Sequence, residues 1–509
     1  MKNIPVIFLL CFSILAHAQN TIVKTANGKI EGIYNADKTI RIFKSVPFAE
    51  PPVGNLRWKA PQPVKNWNGI KKCTAFSASP IQNKPVPFMC WSEEFIAQPE
   101  PLSEDCLYLN IWTSAKTKNE MQPVFVWIYG GGLSSGSSNC AVYDGEEMAK
   151  KGVVFVSINY RVGSFGFLAH PELSKESSHN ASGNYGIMDQ AASLQWIKKN
   201  IAAFGGDSKN VTIAGQSAGA FSVNALIASP LAKGLFHKAI AQSGGILSNR
   251  LSKNLADAEK QGIAFMQEAK VNSIDELRKK TADEIQTISN SKNLERFGLT
   301  LDDYVLPANL FQYFEKGLQN QVPLLTGWVT GDGALFGNSN TTLTQYQKEA
   351  QTKYGDKAAE FLNVFPAKTD DEVKAAQTKL SLFQFAALPS HLLAGYNKKN
   401  NSYLYQFSHV PPDKPNFPNY GAFHTSEVPY ALHTLHKWNR AWQQTDWDLE
   451  NTISSYWVNF AKTGNPNGAG LQEWKTYDKQ SGNIMVLGDT VKLHTVMFKK
   501  ELDFLEIVH

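Results

Sequence analysis

The sequence has no large excess of charge of either sign. Its 509 residues include 50 lysine and arginine residues against 45 aspartate and glutamate residues, which leaves a formal net charge of +5. The basic residues are scattered along the chain and form neither a stripe nor a tail. Because nucleic-acid-binding proteins concentrate positive charge on one face, this distribution argues against a nucleic-acid partner.

Cysteine is scarce, and internal repeats, low-complexity tracts and long linkers are missing. The five cysteines form no Cys-x-x-Cys or mixed cysteine–histidine pattern of the kind that binds metal. We therefore interpret them as structural and expect neither a metal nor a cofactor. After the first 18 residues, no stretch is long and apolar enough to cross a bilayer, so we predict no membrane span.

The N-terminus has the three parts of a secretory signal. Lys2 supplies a positive charge, residues 6–15 form a mostly apolar run, and the sequence AHA at 16–18 makes a small-x-small cleavage site. We predict a signal peptide over residues 1–18, cleaved after Ala18. The remaining chain, 19–509, is predicted to be a single domain that is secreted or periplasmic.

Removal of the signal leaves four cysteines, Cys73, Cys90, Cys106 and Cys140. In an oxidising compartment four cysteines allow three complete pairings. A disulfide from Cys106 to Cys90 or to Cys73 would close a modest loop, and we favour one of these two.

Short β-rich runs alternate with helical patterns. Nearly continuous apolar runs at 123–129, 153–160 and 210–215 are typical of strands in a sheet covered on both faces. Residues 186–204, between the last two runs, carry apolar side chains at helical spacing, which favours a parallel crossover. Further strands are predicted at 238–244, 323–328 and 401–409, and mainly helical segments at about 250–320 and 340–400. The pattern predicts an α/β fold with a large, mostly parallel central sheet flanked by helices.

A Gly-x-Ser-x-Gly pentad occurs twice, around Ser134 and around Ser217. In a nucleophile elbow this pentad makes a sharp turn from a strand into a helix. Both pentads follow a strand, but only the second precedes a helix-compatible segment, AFSVNALIA at 220–228. The first precedes SSNCAVYDG at 137–145, which is rich in Ser and Asn and ends in a turn. We therefore predict that Ser217 is the nucleophile.

The first pentad overlaps three consecutive glycines, Gly130 to Gly132. Without side chains in the way, their N–H groups can face a cleft, and an acyl-transfer enzyme needs such donors for the developing oxyanion. The usual further donor is the residue after the nucleophile, here Ala218. We interpret this stretch as part of an oxyanion hole; a flexible glycine loop is the alternative.

A reactive serine also needs a histidine base and a carboxylate that orients the histidine. In this fold class the chain order is serine, acid, histidine. Asp332 lies between two glycines just after a predicted strand, which fits the acid and also fits a plain Asp-Gly turn. His424 lies in a loop with proline and glycine turn signals before a helix, and His409 is its rival. The residues alone leave these choices open.

Several segments together resemble the type-B carboxylesterases, an α/β-hydrolase group that includes the cholinesterases and the catalytically silent neuroligins. The similar segments are VPFAEPPVGNLRWKAPQPVKNW (46–67), SEDCLYLNIW (103–112), GGGLSSGSS (130–138), NYRVGSFGFL (159–168), residues 183–219 and YWVNFAKTGNPNG (456–468). The resemblance implies an α/β-hydrolase fold whose helical excursions form an active-site gorge. It implies Ser217 as nucleophile, His424 as base, and Asp332 in the place of the usual glutamate.

The resemblance also assigns roles around the nucleophile. By this likeness, Gly131, Gly132 and Ala218 match oxyanion-hole positions. The pairs that match its buried structural ion pairs are Arg161 with Asp189 and Arg57 with Glu104. Gln216 stands where the family usually has glutamate, which argues against a cationic alcohol such as choline. The residues assigned to the substrate pocket are Gln216, Trp91, Trp328 and Phe336, and Trp91 fits a buried packing role equally well.

These inferences together predict an exported serine carboxylesterase that hydrolyses uncharged carboxylic esters through an acyl-enzyme. Its partner is a small-molecule ester. The main alternative from another class is an adhesion or recognition protein of the same fold, which typically lacks the nucleophile. A lipase, and an esterase that removes feruloyl or acetyl groups from polysaccharides, are further alternatives.

Overall fold

The computed structural model describes residues 21–248, 250–335, 340–415 and 418–508. In this part of the chain the main sheet has 11 strands. From edge to edge they are Val491–His494, Ile484–Leu487, Ser402–Phe407, Leu324–Val329, Lys238–Gln242, Gly206–Gln216, Gln122–Ile128, Val154–Ile158, Tyr108–Thr113, Arg41–Pro47 and Ile33–Tyr34. The six neighbouring pairs from Ile484–Leu487 to Val154–Ile158 are parallel. The four pairs at the two ends are antiparallel, so the predicted mostly parallel sheet is confirmed.

The central strands are buried, which explains their nearly continuous apolar sequences. All five residues of Val154–Ile158 are buried, as are the last five of Gln122–Ile128. A strand covered on both faces needs apolar side chains pointing both ways. The strand predicted at 210–215 is longer than expected and begins at Gly206.

Three smaller sheets lie outside the main one in the described residues. Their strands are Ile22–Lys24 with Lys29–Glu31 and Ile70–Lys72, Ser252–Asn254 with Leu299–Leu301, and Ser79–Pro80 with Leu102–Ser103.

Helices flank the sheet and fill the two segments predicted to be helical. Across the described residues the α-helices are Glu146–Lys150, Gly163–Phe167, Pro171–Glu176, Tyr185–Asn200, Ala218–Ala228, Leu255–Ala269, Ile274–Arg278, Ala282–Ser289, Leu310–Glu315, Leu343–Tyr354, Ala358–Val364, Asp370–Leu382, Leu388–Tyr396, Val428–Leu432, Gln444–Thr463 and Lys499–Val508. Many helices of the two excursions begin at a residue whose side chain accepts a backbone N–H of the first turn. These caps are Asn254, Ser273, Thr281, Asn309, Thr342 and Thr369.

Both ion pairs matched by family resemblance are formed. Arg161 and Asp189 make a buried two-pronged pair, with Nη2–Oδ1 and Nε–Oδ2 distances of 2.7 and 2.8 Å. Arg57 Nε donates to Glu104 Oε2 at 2.6 Å. Loss of one partner of such a buried pair costs about 3–5 kcal/mol of stability, because the other charge stays buried.

The four predicted disulfide candidates are free, buried thiols, so the favoured disulfide from Cys106 is not formed. The cysteines lie in separate places. Cys106 adjoins the Arg161 ion pair, and Cys73 Sγ lies 3.8 Å from the carbonyl oxygen of Ser45. The prediction of a disulfide from the sequence separation of the cysteines fails here. A disulfide depends on the distance between the two Cβ atoms, which the sequence separation does not give.

The predicted signal peptide at 1–18 lies outside the described residues. Among the helices of the described residues, none combines the length and the apolar character needed to span a bilayer.

Candidate active site

Ser217 lies at the turn between the strand Gly206–Gln216 and the helix Ala218–Ala228. Its backbone angles are φ 58° and ψ −125°, a region that non-glycine residues rarely occupy. Two backbone hydrogen bonds hold this conformation: Ser217 N–H donates to the Gln242 carbonyl at 2.9 Å, and Phe221 N–H donates to the Ser217 carbonyl at 3.0 Å. Strain of this kind at a single buried turn is typical of a functional residue.

The two glycines of this pentad are required by close backbone packing. A Cβ on Gly215 would lie 2.6 Å from backbone atoms of Gly219. A Cβ on Gly219 would lie 2.1 Å from the Ile128 carbonyl oxygen. The turn therefore has no room for a side chain two positions before or two positions after the serine.

Ser134 has a different setting. Its N–H donates to the Gly131 carbonyl at 3.2 Å within a tight turn. The next regular element is the 3-10 turn Ala141–Tyr143, so no helix follows this pentad directly. Ser134 Oγ accepts a hydrogen bond from Arg296 Nη2 at 2.5 Å. Of the two serines, only Ser217 occupies an elbow.

The glycine turn lies against the elbow. A Cβ on Gly130 would be 3.1 Å from Ser217 Cβ and 2.7 Å from the Gln216 carbonyl oxygen. Gly131 and Gly132 have φ values of 102° and 61°, which favour glycine. The N–H groups of Gly131, Gly132 and Ala218 donate to no other group in the described part of the chain. Three unused donors beside the serine are the arrangement that an oxyanion needs.

Asp332 and His424 form a buried pair. His424 Nδ1 lies 2.5 Å from Asp332 Oδ1, and both side chains are almost fully buried. The backbone N–H of Val329 donates to Asp332 Oδ2 at 3.0 Å. The two loops are joined through their backbones, because Gly331 N–H donates to the Ala422 carbonyl at 2.9 Å. A Cβ on Gly331 would lie 2.2 Å from that oxygen, so only glycine allows this approach.

The imidazole of His424 reaches the elbow beside Gln216. Gln216 Nε2 lies 3.2 Å from Nε2 and 3.4 Å from Nδ1 of the ring. The amide nitrogen is therefore nearly equidistant from the two ring nitrogens. If it lay in the plane of the ring, it would overlap the ring carbon between those nitrogens, so it must lie over the face of the ring. Ser217 Oγ makes no hydrogen bond to His424 in the described residues. Catalytic hydrogen bonds are often long or misaligned without substrate and tighten when it binds.

The rival histidine, His409, lies in another cluster. Its Nδ1 is 2.6 Å from Asp489 Oδ1, and its Nε2 is 2.8 Å from Asp446 Oδ1. Both ring nitrogens are therefore occupied by carboxylates that do not approach Ser217. The geometry favours His424 over His409 as the base.

Aromatic side chains surround the imidazole. The ring of Trp91 meets that of His424 edge to face at 6.3 Å, and Trp91 Nε1 donates to Thr425 Oγ1 at 2.9 Å. Phe385, from the π-helical turn Phe383–Ala387, meets the same ring at 5.5 Å. Sequence reasoning identified Trp91 but missed Phe385, because no local pattern marks a π turn.

The other two residues assigned to the substrate pocket are Trp328 and Phe336. Trp328 is fully buried within the strand Leu324–Val329 and packs against Phe498 at 6.4 Å. This placement makes Trp328 a core residue, which corrects the pocket assignment. Phe336 lies outside the described residues.

Glu427 is a buried acid that sequence reasoning missed, although it follows His424 by three residues. Ser243 Oγ donates to Glu427 Oε1 at 3.1 Å. Burial raises the pKa of Glu427 to about 8, and the nearby Asp332 carboxylate acts in the same direction. Glu427 is thus protonated at neutral pH and adds no second negative charge beside Asp332.

The parallel sheet, the strand-to-helix elbow and the acid and histidine from later loops define an α/β-hydrolase. The carboxylesterase family model matches residues 19–505 of this chain. The chain is 34% identical to fumonisin B1 esterase from Sphingopyxis macrogoltabida over 489 residues, which are 92% of this chain and 86% of that protein. It is 33% identical to para-nitrobenzyl esterase from Bacillus subtilis (strain 168), with 93% and 96% of the two chains covered.

Solved structures agree with these sequence relatives. A structure of PNB esterase superposes with a TM-score of 0.81 at 30% identity, over 95% of this chain and 99% of that chain. The chain belongs to the carboxylesterase family. It is a carboxylic ester hydrolase.

Proposed function

We propose that this protein is an exported serine carboxylesterase that works through an acyl-enzyme formed on Ser217. His424 is the general base and Asp332 the acid that orients it. The observation that carries this proposal is the buried Asp332–His424 pair beside a serine held in an elbow conformation. The 2.5 Å contact supports an aspartate in this role, because the shorter side chain still reaches the imidazole.

In the proposed first half-reaction, Ser217 Oγ attacks the carbonyl carbon while His424 Nε2 takes the hydroxyl proton. The C=O bond becomes a C–O⁻ bond, and the N–H groups of Gly131, Gly132 and Ala218 bind that oxygen. When the tetrahedral intermediate collapses, the bond to the alcohol oxygen breaks. The alcohol leaves with the proton that His424 returns to it.

In the second half-reaction, water takes the place of the alcohol. His424 removes a proton from the water as its oxygen attacks the acyl carbon of the Ser217 ester. Collapse of the second intermediate releases the carboxylic acid and returns the proton to Ser217. Asp332 stabilises the imidazolium by its hydrogen bond to Nδ1.

The apolar surroundings of His424 support a role in ester hydrolysis. Trp91 and Phe385 exclude water around the imidazole, which strengthens the charge interactions of the transition state. The alternative of a binding-only protein does not account for three unused N–H donors beside an elbow serine.

Export is part of the proposal and depends on residues 1–18. The mature protein, purified from the compartment outside the cytoplasm, is expected to begin at Gln19. Intact mass spectrometry measures this directly, and a chain that retains residues 1–18 would contradict it.

A serine-directed fluorophosphonate tests the acyl-enzyme. We expect one covalent adduct per chain, mapped by peptide mass spectrometry to Ser217, together with loss of 4-nitrophenyl butyrate hydrolysis. Ser217→Ala should not be labelled, while Ser134→Ala should be labelled like the wild type. An adduct on another residue, or hydrolysis that persists after complete labelling, would refute the assignment.

A further inference from the structure

A cationic pocket adjoins the glycine turn. It is a cavity of about 110 Å³ lined by Arg250, Lys253 and Arg296, with Phe167 and Phe297 among its apolar walls. Neither the sequence patterns nor the proposed mechanism assigns a role to any of these residues. Three cations around one small cavity require an explanation, because like charges repel and are unfavourable when brought together without an anion.

Arg296 connects this pocket to the oxyanion donors. Its Nη2 donates to Ser134 Oγ at 2.5 Å and to the Gly131 carbonyl at 3.3 Å. A Cβ on Gly132 would lie 1.8 Å from the same Nη2, so the guanidinium rests directly on the turn. The glycine at 132, which has no side chain, is what makes room for it.

The charge of Arg296 is not neutralised within the described residues. Both of its hydrogen-bond acceptors are neutral oxygens, and no described carboxylate forms an ion pair with it. Its Nε and Nη1 make no hydrogen bond in the described part of the chain. Arg296 is exposed as a whole, and partial desolvation of its guanidinium lowers its pKa. An arginine still remains charged, and the N–H groups of Nε and Nη1 are left to donate to a carboxylate.

The other two cations differ from Arg296. Lys253 forms an ion pair with Glu295, which is the acidic residue nearest this cluster. Arg250 is exposed at the pocket wall. Of these three cations, the one that touches the glycine turn is Arg296.

The fold brings these residues together by pairing two short strands. Ser252–Asn254 and Leu299–Leu301 run parallel, and Leu299 N–H donates to the Leu251 carbonyl at 2.7 Å. A Cβ on Gly298 would lie 2.4 Å from that carbonyl oxygen, so glycine permits the close approach. Arg296 is an exposed residue three positions before the strand Leu299–Leu301, and its contacts with Ser134 and Gly131 fix the position of its guanidinium.

We propose that Arg296 binds a carboxylate on the substrate, so that the preferred substrates are esters with a free carboxylate elsewhere in the molecule. This inference rests on the proposed function, since Gly131 and Gly132 must be the oxyanion donors. The guanidinium contacts the same turn that carries two of these donors, with Nη2 3.3 Å from the Gly131 carbonyl oxygen. A half-ester of a short dicarboxylic acid places its carboxylate a few bonds from the ester carbonyl, which suits this arrangement. The inference departs from the uncharged esters predicted from sequence.

The residue before the nucleophile is consistent with this substrate class. Gln216 is neutral, so no carboxylate beside Ser217 repels an anionic ester. Glu427 does not repel it either, because burial raises its pKa to about 8 and leaves it protonated at neutral pH.

Matched substrate pairs test the proposal. The acyl arm compares mono-4-nitrophenyl adipate with 4-nitrophenyl hexanoate, and the alcohol arm compares 4-(butyryloxy)benzoate with 4-(butyryloxy)benzamide. We expect the wild type to favour the anion in one arm by about tenfold in kcat/KM. Arg296→Gln should lower that anion-to-neutral ratio about tenfold, and Arg296→Lys should keep most of it. In 0.5 M NaCl the ratio should fall in the wild type and stay constant in Arg296→Gln.

A control variant and the opposing outcomes keep the test decisive. Lys65→Gln removes an exposed cation that pairs with Glu50 and lines no part of the pocket, and its ratio should equal that of the wild type. Equal losses for both members of each pair in Arg296→Gln would show that Arg296 only supports the turn, and would overturn the proposal. A wild type with no anion preference in either arm would also overturn it. A wild type that hydrolyses none of the four esters would instead refute the proposed function, and this inference with it.

Discussion

The two Gly-x-Ser-x-Gly stretches have the same pattern and opposite surroundings. Around Ser217 the chain turns from a buried strand into the helix Ala218–Ala228, with a strained φ of 58° at the serine. Around Ser134 the chain makes a tight turn whose carbonyls and hydroxyl accept hydrogen bonds from their own backbone and from Arg296. At the elbow the glycines allow close backbone packing. At the other turn the glycines leave N–H groups without a hydrogen-bond acceptor in the described residues.

This difference teaches that the role of the pentad depends on the segment after its second glycine. The helix-compatible run after Gly219 turns the motif into an elbow, and the polar run after Gly136 does not. The two stretches are nevertheless parts of one site, because Gly130 lies against Ser217. Substitutions in only one of the two stretches therefore distinguish the role of the Ser217 elbow from that of the Ser134 turn.

The largest expected effect distinguishes the two serines directly. Ser217→Ala should lower kcat for 4-nitrophenyl butyrate by about 10⁵-fold or more, because the acyl acceptor is lost. Ser134→Ala should change kcat by less than about tenfold, since it removes only a hydroxyl that accepts from Arg296. Steady-state kinetics at saturating ester measure both. A reversed order would exchange the assigned roles.

The second prediction distinguishes the carboxylate that orients the histidine next to Ser217 from the carboxylates around His409. Asp332→Asn should lower kcat about 10⁴-fold, because the amide no longer stabilises the imidazolium or fixes its tautomer. The matched control is Asp489→Asn, which alters the partner of His409 at the other cluster. Its kcat should stay within a few-fold of the wild type. Comparable losses in the two variants would leave the choice between the histidines without support.

The third prediction concerns the residue before the elbow serine. Gln216→Glu places a carboxylate against the His424 ring, which favours the imidazolium over the neutral imidazole. Because the base must be neutral to act, the acidic limb of the kcat/KM profile should move to higher pH. Activity at pH 5.5 should fall about tenfold, with little change at pH 8.5. The neutral control Gln216→Met should leave the acidic limb of the kcat/KM profile in place. If the limb also stays in place in Gln216→Glu, residue 216 is not electrostatically coupled to the base.

The last prediction concerns stability, not activity, and the residue changed is Glu427, three positions after His424. Its folded-state pKa, about 8, lies above its ordinary value, so the folded state holds a proton that the unfolded chain releases. Its stabilising contribution is complete below about pH 4.5 and is lost as the pH rises towards 8. Glu427→Gln cannot ionise and should avoid this loss, on the order of 5 kcal/mol over the full range.

The measurement for Glu427→Gln is the melting temperature at pH 5 and at pH 8. The melting temperature of the variant minus that of the wild type should rise by a few degrees between these two pH values. A constant difference would mean that Glu427 titrates alike in the folded and unfolded states.

Much of the fold was predictable because its signals are local. Continuous apolar runs mark the central strands, and the segment after Gly219 marks the elbow helix. The glycines of the elbow could be predicted because a sharp turn excludes Cβ atoms, and Gly219 shows that exclusion at 2.1 Å. Family resemblance added the choice of Asp332 and His424, which residues alone left open.

The parts that escaped prediction depend on contacts between distant segments. Asp332 and His424 meet because one backbone hydrogen bond joins Gly331 to Ala422, and nothing near either residue encodes it. Arg296 reaches the glycine turn from a strand pair more than 150 positions away. Trp328 was assigned to the pocket, yet its place on the strand directs it to Phe498. In each case side-chain direction, not residue type, decides the role.

The free cysteines have a consequence for how this protein can be handled. With burial raising the pKa of Cys73, Cys90 and Cys140 to about 12, thiolate is almost absent at neutral pH. Alkylating reagents and mild oxidants therefore find little to react with in the native enzyme, and dithiothreitol has no cross-link to cleave among the described cysteines.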